Sequence, residues 1–365
     1  MIGLVYGERM TVEWSRYSDD ELRRVAAETD AYLAKNALKE VLSESSMLMT
    51  NMIQLVPVTS ENLLSGHLHP LFEAESDLLA STTQGRLGLY KQAIASLRGV
   101  LELGLLSIYW DVNDTAHLDI QEWLHGKKDT PGFRAIGKKL GTIPAVEAAL
   151  LEIPDTLPQA QALAHEISGY VHSRGRRNST AALIPQSNRP VFSESALKKW
   201  LSLRERVLKV VLTFTLLKYP LGLQITPLSA KFGLGGPAGG FVEPFVRERF
   251  LAHLGSEKSA LLQRISNADK NAQATAAQIR SLPDLTPEQW REDMLRDDRS
   301  WVQMMGYEGW RRTYDVRPVG DDETDADQRK REAYAESLRS WAQESGLMTQ
   351  DGALVWRQTR SSADQ

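Results

Sequence analysis

The side chains best suited to chemistry lie in two stretches, LRGVLELGLLSIYWD and ISGYVHSRGRRNS, at residues 97–111 and 167–179. Arg98 and Glu102 are four apart, and Tyr109 follows Arg98 by eleven. At 3.6 residues per turn all three fall within about 20° of one line on a helix. The acid follows the base, the less favoured order for an exposed helical pair, so a simple surface ion pair is the less natural explanation. His165 and His172 are seven apart and share a face of a second helix, and Arg174, Arg176 and Arg177 follow at its end. A guanidinium beside an imidazole can bind and protonate a phosphodiester: His172 would act as acid or base, and Arg174 or Arg98 would stabilise charge on the phosphorane. The catalytic candidates are therefore His172, Arg174, Arg98 and Glu102, with Arg174, Arg176 and Arg177 as a phosphate grip. The plainer alternative is a buried Arg98–Glu102 pair that locks two helices, with His172 hydrogen-bonded at a helix end.

Two other patterns carry less. Gly233-Leu234-Gly235 with Ala238 matches the relaxed dinucleotide fingerprint, but no strand–helix–strand unit surrounds it, and Phe241 follows Gly240 where a P-loop needs Lys. His67 and His69, with Glu73 or Glu75, have metal-ligand types, yet residues two apart point the same way only on extended chain, which Pro70 ends. The expectation is a polar loop before a helix, with no metal and no cofactor.

A formal charge of −4 and a pI near 6.0 disfavour a protein that coats DNA, whereas a local basic patch leaves RNA open as a partner. With no cysteine there is no disulfide framework, thiolate nucleophile or Cys-ligated metal, which fits a reducing, cytoplasmic setting. MIGLVYGERM lacks the pattern of a secretory signal, and residues 1–9 read as a lead that need not belong to the folded protein. The strongest apolar run, Val210–Leu217, falls far short of a bilayer, so no membrane association is expected.

The elements that must position these side chains read as helices throughout. Ser18-Asp19-Asp20-Glu21 is a capping box that starts a helix running, with a break, towards Pro57. Tyr90, Ile94, Leu97, Leu101, Leu105 and Ile108 form one apolar stripe on the helix that carries Arg98. A shorter helix from about Gln159 ends near Gly175. SESALKKWLSLRERVLKVVLTFTLLKYP is helical by length despite its β-branched residues. Further helices are expected over 242–254 and 258–279, after the Thr286-Pro287-Glu288-Gln289 cap, and over 329–344. The fold class is all-α: a flexible lead over 1–17, an N-terminal bundle over 18–187, a second helical layer over 188–316, and an acidic linker, terminal helix and tail over 317–365. Trp290, Met294, Trp301 and Met305 recur at helical spacing, which would dock that helix on the bundle and leave Trp310 and Tyr314 near a subunit or partner interface.

The leucine-rich helix, the WLHGKK element and ISGYVHSRG together resemble the HEPN superfamily, named for higher eukaryote and prokaryote nucleotide-binding domains, over roughly residues 80–180. The resemblance implies a helical bundle, often dimeric, of bacterial origin, and metal-independent ribonuclease activity in toxin–antitoxin or phage-defence systems. His172 takes the place of the family's histidine. Catalytic members carry arginine a few residues before it, whereas here arginine follows, which makes Arg174 or Arg98 the substitute. The first expectation is therefore a helical interaction or regulatory protein, self-associating or bound to a protein partner. The alternative is a HEPN-like metal-independent ribonuclease or nucleotide-binding enzyme.

Overall fold

The computed structural model describes residues 18–57, 65–113, 118–172, 174–184, 190–233, 239–315 and 324–349. Among them every regular element is a helix. In chain order these are α1 (Asp19–Lys35), α2 (Leu38–Ile53), α3 (His69–Arg86), α4 (Tyr90–Asn113), α5 (Leu118–Leu124), α6 (Phe133–Leu140), α7 (Pro144–Glu152) and α8 (Thr156–Val171). They continue as α9 (Thr180–Leu183), α10 (Glu194–Lys218), α11 (Leu228–Phe232), α12 (Pro244–Leu254), α13 (Ser256–Ala268), α14 (Lys270–Ser281), α15 (Pro287–Asp315) and α16 (Asp325–Glu344).

The first compact unit comprises residues up to 226 together with 238–280. Its axis is α4, whose stripe of Ile94, Leu97, Leu101, Leu105 and Ile108 is fully buried against α3, α6, α8 and α10. Each such side chain contributes about 1.5–3 kcal/mol of hydrophobic stabilisation. The stretch Tyr90–Trp110 is long and apolar enough by composition to cross a bilayer, but 61% of its most apolar window is buried inside the unit. A glycine lets α10 approach closely: a Cβ on Gly104 would sit 2.9 Å from both methyls of Val211. The β-branched part of α10 is helical and buried, and within it the Thr213 and Thr215 hydroxyls are satisfied by the carbonyls of Lys209 and Val211, one turn back.

The units do not divide at residues 187 and 316. Trp200, Leu203, Val207 and Leu208 of α10 belong to the same continuous core as α4, so residue 187 does not bound the bundle. Nor do 188–316 form one layer, since 281 onward belongs to the second unit. After the excursion at 227–237 the chain returns to the first unit, where it satisfies the backbone around residues 220–224. Arg247 donates to Leu223 O (2.6 Å), Ser266 Oγ to Pro220 O (2.7 Å), and Gln224 Nε2 to Ser266 O (3.0 Å). Also within this unit, Arg204 of α10 is 2% exposed. Its guanidinium donates to Ser45 Oγ, Ser46 Oγ and Leu42 O of α2 rather than to a carboxylate.

The capping boxes at Ser18 and Thr286 form as read: each side-chain oxygen accepts from the amide three residues on, and Glu21 and Gln289 accept from the cap amides. The break expected before Pro57 falls at Ala37, in the left-handed region at φ 53° between α1 and α2. The helix expected over 258–279 is two, separated at Asp269. The acidic run near residue 320 is partly helical, since Thr324 and Asp327 form a capping box that starts α16. The lead over 1–17, the tail from 350 and residues 316–323 lie outside the described residues.

The second unit comprises 227–237 and 281–365, with α11, α15 and α16. Its core corrects the reading of Trp310 and Tyr314 as interface residues: they are 0% and 8% exposed, packed with Val302, Tyr307, Ala335 and Leu338. The reason is Gly306, whose φ of 77° interrupts the helix and moves the following segment out of the stripe read from Trp290 and Trp301. Trp310 stacks on Tyr314 at 4.7 Å between ring centroids. A carboxylate lies inside this core: Asp298, 1% exposed, accepts from Trp310 Nε1 (2.7 Å) and from the Tyr334 hydroxyl (2.8 Å).

Candidate functional site

The first unit brings the two polar helical lines together. On α8, Ala160, Leu163, Ala164, Ile167 and Tyr170 face the core, which leaves His165 and Ser168 beside that stripe, towards α4. The helix closes at Val171, where the His172 amide bonds Ser168 O and the Arg174 amide bonds Gly169 O, both at 3.0 Å. Gly175 is thus not the terminator. It turns the chain at φ 67°, so that Arg176–Asn178 folds back beside α8, where a Cβ on Gly169 would lie 2.6 Å from Asn178 Nδ2.

Arg98 reaches from α4 to that helix end. Its Nε donates to Glu102 Oε1 at 2.9 Å, and its Nη1 lies 3.0 Å from His172 Nε2. A guanidinium has donors only, so Nε2 accepts, and the neutral ring carries its proton on Nδ1. The pair is not packed shut: His172 is exposed, and the Arg98 and Glu102 side chains are 31% and 24% exposed. Tyr109, on the same line of α4, instead packs edge-on against Trp110.

Two cavities flank this helix end. The first, about 400 Å³, is lined by Arg98, Glu102, Gln161 and His165, with Phe133 and Arg134 of α6 on its other side. The second, about 570 Å³, is lined by His165, Glu166, Arg174, Arg177, Asn178 and Lys199. His165 belongs to both, and Arg174 Nη1 stands 3.5 Å from its Nδ1. Burial pushes the Glu166 carboxyl up, but hydrogen bonds from Lys199 (2.5 Å) and Arg206 (2.8 Å) outweigh it and hold the group below the usual carboxylate range. Among the described residues, Arg134, Arg174 and Arg177 have no carboxylate within 4.0 Å, which leaves both cavities with excess positive charge.

The candidates thus separate. Arg98 meets Glu102 and His172; Arg174 meets His165 instead and lines the second cavity with Arg177; Arg176 and His172 are exposed and line neither cavity. Phe133, Arg134, His165 and Lys199 were not among the candidate site residues, although KK at 138–139 and the unbalanced charge of FRAIGKKL marked α6 as basic. His67 is buried with Nδ1 at 3.0 Å from Ser65 Oγ, while His69 opens α3 and lies 3.9 Å from Glu73. Among the described residues no group of three or more His, Asp or Glu is arranged to hold a metal ion. Residues 234–238 of the glycine segment lie outside the described residues. No protein-family model, curated protein or solved structure matches the chain.

Proposed function

We propose that this protein binds RNA at the cleft between α4 and α8 and cleaves its phosphodiester backbone, with His172 as the proton-transfer group and Arg98 as the phosphate ligand. The observation that carries the reading is the contact of Arg98 with the exposed His172 at 3.0 Å, at the edge of the cationic cavity that Arg98 itself lines. The guanidinium moves from the imidazole onto a phosphate, where its charge-assisted bonds are stronger. Nε2 of His172, already an acceptor, then takes the proton of the 2′-hydroxyl. The 2′-oxygen attacks phosphorus, the bond to the 5′-oxygen breaks, and that oxygen leaves with a proton from solvent. The products are a 2′,3′-cyclic phosphate and a 5′-hydroxyl. Arg98 stabilises the phosphorane charge, and Glu102 orients Arg98. The resemblance to HEPN ribonucleases points the same way, with an arginine from a neighbouring helix taking the role those enzymes give to one on the histidine's own helix.

The test is cleavage of end-labelled single-stranded RNA by the full chain in the presence of EDTA. The parent should yield cyclic-phosphate ends. His172→Ala should lower the rate by about 10²–10⁴ and Arg98→Ala by about 10²–10³, each with its circular dichroism unchanged. A parent that cuts no RNA, or a His172→Ala variant that cuts as fast, overturns cleavage and returns the cleft to a regulatory or interaction role.

A further inference from the structure

The two cavities open on adjacent faces of α8. Gln161, His165 and Ser168 face the first, whereas Ala162, His165, Glu166 and Gly169 face the second, and each set is one residue, or about 100°, from the other. His165 is therefore the ridge between them, and His172, two turns on, lies along the same ridge. The contents differ in kind. The first cavity combines the Arg98–Glu102 pair with a half-buried aromatic ring, Phe133. Apart from the ridge residue His165, the second has only the ring of Tyr170, which is 7% exposed, and it collects Arg174, Arg177 and Lys199 around one carboxylate. Lys199 and Arg206 already neutralise that carboxylate, Glu166. Arg174 and Arg177 are left with no counter-charge among the described residues.

We infer that the second cavity is a phosphate subsite separate from the reacting one, so that the ligand is a single strand of at least two consecutive phosphates crossing the α8 ridge. This rests on the reading of the cleft as an RNA site. One phosphate meets Arg98 and His172 on the ridge, an unpaired base stacks on Phe133 in the first cavity, and the next phosphate enters the second between Arg174 and Arg177. A helix is on the order of 10 Å wide, so one short strand reaches both sides. A duplex does not fit the arrangement, because stacking on Phe133 needs a base free of its partner.

The experiment measures fluorescence anisotropy of 2′-fluoro di- and trinucleotides, which lack the attacking hydroxyl and have one and two internal phosphates. A hairpin is the double-stranded control, and unmodified hexanucleotide cleavage is followed in parallel. The parent should bind the trinucleotide about tenfold more tightly than the dinucleotide, with a salt slope steeper by about 0.7, the value for one added phosphate contact on a single strand. Arg177→Ala should bring the ratio close to one and the slope difference close to zero, and Arg174→Ala should do the same. The hairpin should bind no better than the dinucleotide. Equal affinity for the two lengths, or an unchanged ratio in Arg177→Ala, overturns the subsite even if the hexanucleotide is cut. The length ratio without cleavage sinks the cleavage reading and leaves the subsite standing, and no binding of either length overturns both.

Discussion

Replacing Trp310 separates a core role from an interface role in a single residue. The ring is fully buried, its Nε1 donates to the buried carboxylate of Asp298 at 2.7 Å, and it stacks on Tyr314. Trp310→Phe keeps most of the ring and the stacking but withdraws one donor from Asp298, which still accepts from Tyr334 at 2.8 Å. A hydrogen bond to a charged group contributes about 1.5–3 kcal/mol, so the Phe variant should destabilise the unit containing α15 and α16 by about 2 kcal/mol. Trp310→Ala also loses the aromatic burial, a further ~3–5 kcal/mol. Hydrogen exchange followed by mass spectrometry reads this locally. At about 1.4 kcal/mol per tenfold, peptides from α15 and α16 should exchange on the order of 30-fold faster in the Phe variant, while α4 peptides are unchanged. An Ala variant with parental protection in α15 and α16, but a changed mass by light scattering, would refute the burial argument and restore the interface.

Two further outcomes follow from the first unit. Burial pulls the Arg204 guanidinium down to about 10, and its donors meet only serine hydroxyls and a carbonyl, so Arg204→Met should be neutral or stabilising by about 1–2 kcal/mol. Chemical denaturation checks this, and a loss above about 2 kcal/mol would show that the three α2 contacts outweigh the desolvation. Burial also holds His253 below its usual value, reinforced by Lys209 and Arg204 and opposed by Glu205 at 3.6 Å. Below pH ~6.5 the unfolded chain then binds more protons than the folded one. The His253 contribution is therefore complete above that pH and declines as pH falls through the window beneath it. Urea midpoints at pH 7.5 and 5.5 should fall further apart in the parent than in His253→Asn, and identical differences would refute the assignment.

Much of the architecture was legible because it rests on local rules. The Ser18 and Thr286 boxes, the α4 stripe and the helical state of α10 are all decided within a few turns of chain. Part of the site was legible for the same reason, since periodicity alone places Arg98 with Glu102 and His165 with His172. That Arg98 touches His172 depends on how α8 lies against α4, 74 residues away, and no local pattern encodes that. Phe133, Arg134 and Lys199 are not legible in the sequence, because each is ordinary on its own helix and gains its place only where α6 and α10 line the cavities beside α8. The place of Trp310 is not legible from the stripe, because one positive φ at Gly306 resets the helical phase before it.

The return of residues 238–280 to the first unit gives its assembly a direction in time. A chain emerging from the ribosome as far as residue 226 contains α4, α8 and α10, hence both walls of the cleft, but lacks Arg247 and Ser266, the donors to Leu223 and Pro220. At about 5–20 residues per second, the missing stretch takes roughly 3–10 s to appear, long compared with helix formation and collapse. During that interval Phe250, Leu261 and Leu262 are absent from a core that otherwise exists, and apolar surface of α10 and α2 is bare. The nascent polypeptide therefore passes through a stage in which a nearly complete cleft rests on an unfinished base, the stage most open to chaperone capture or premature aggregation.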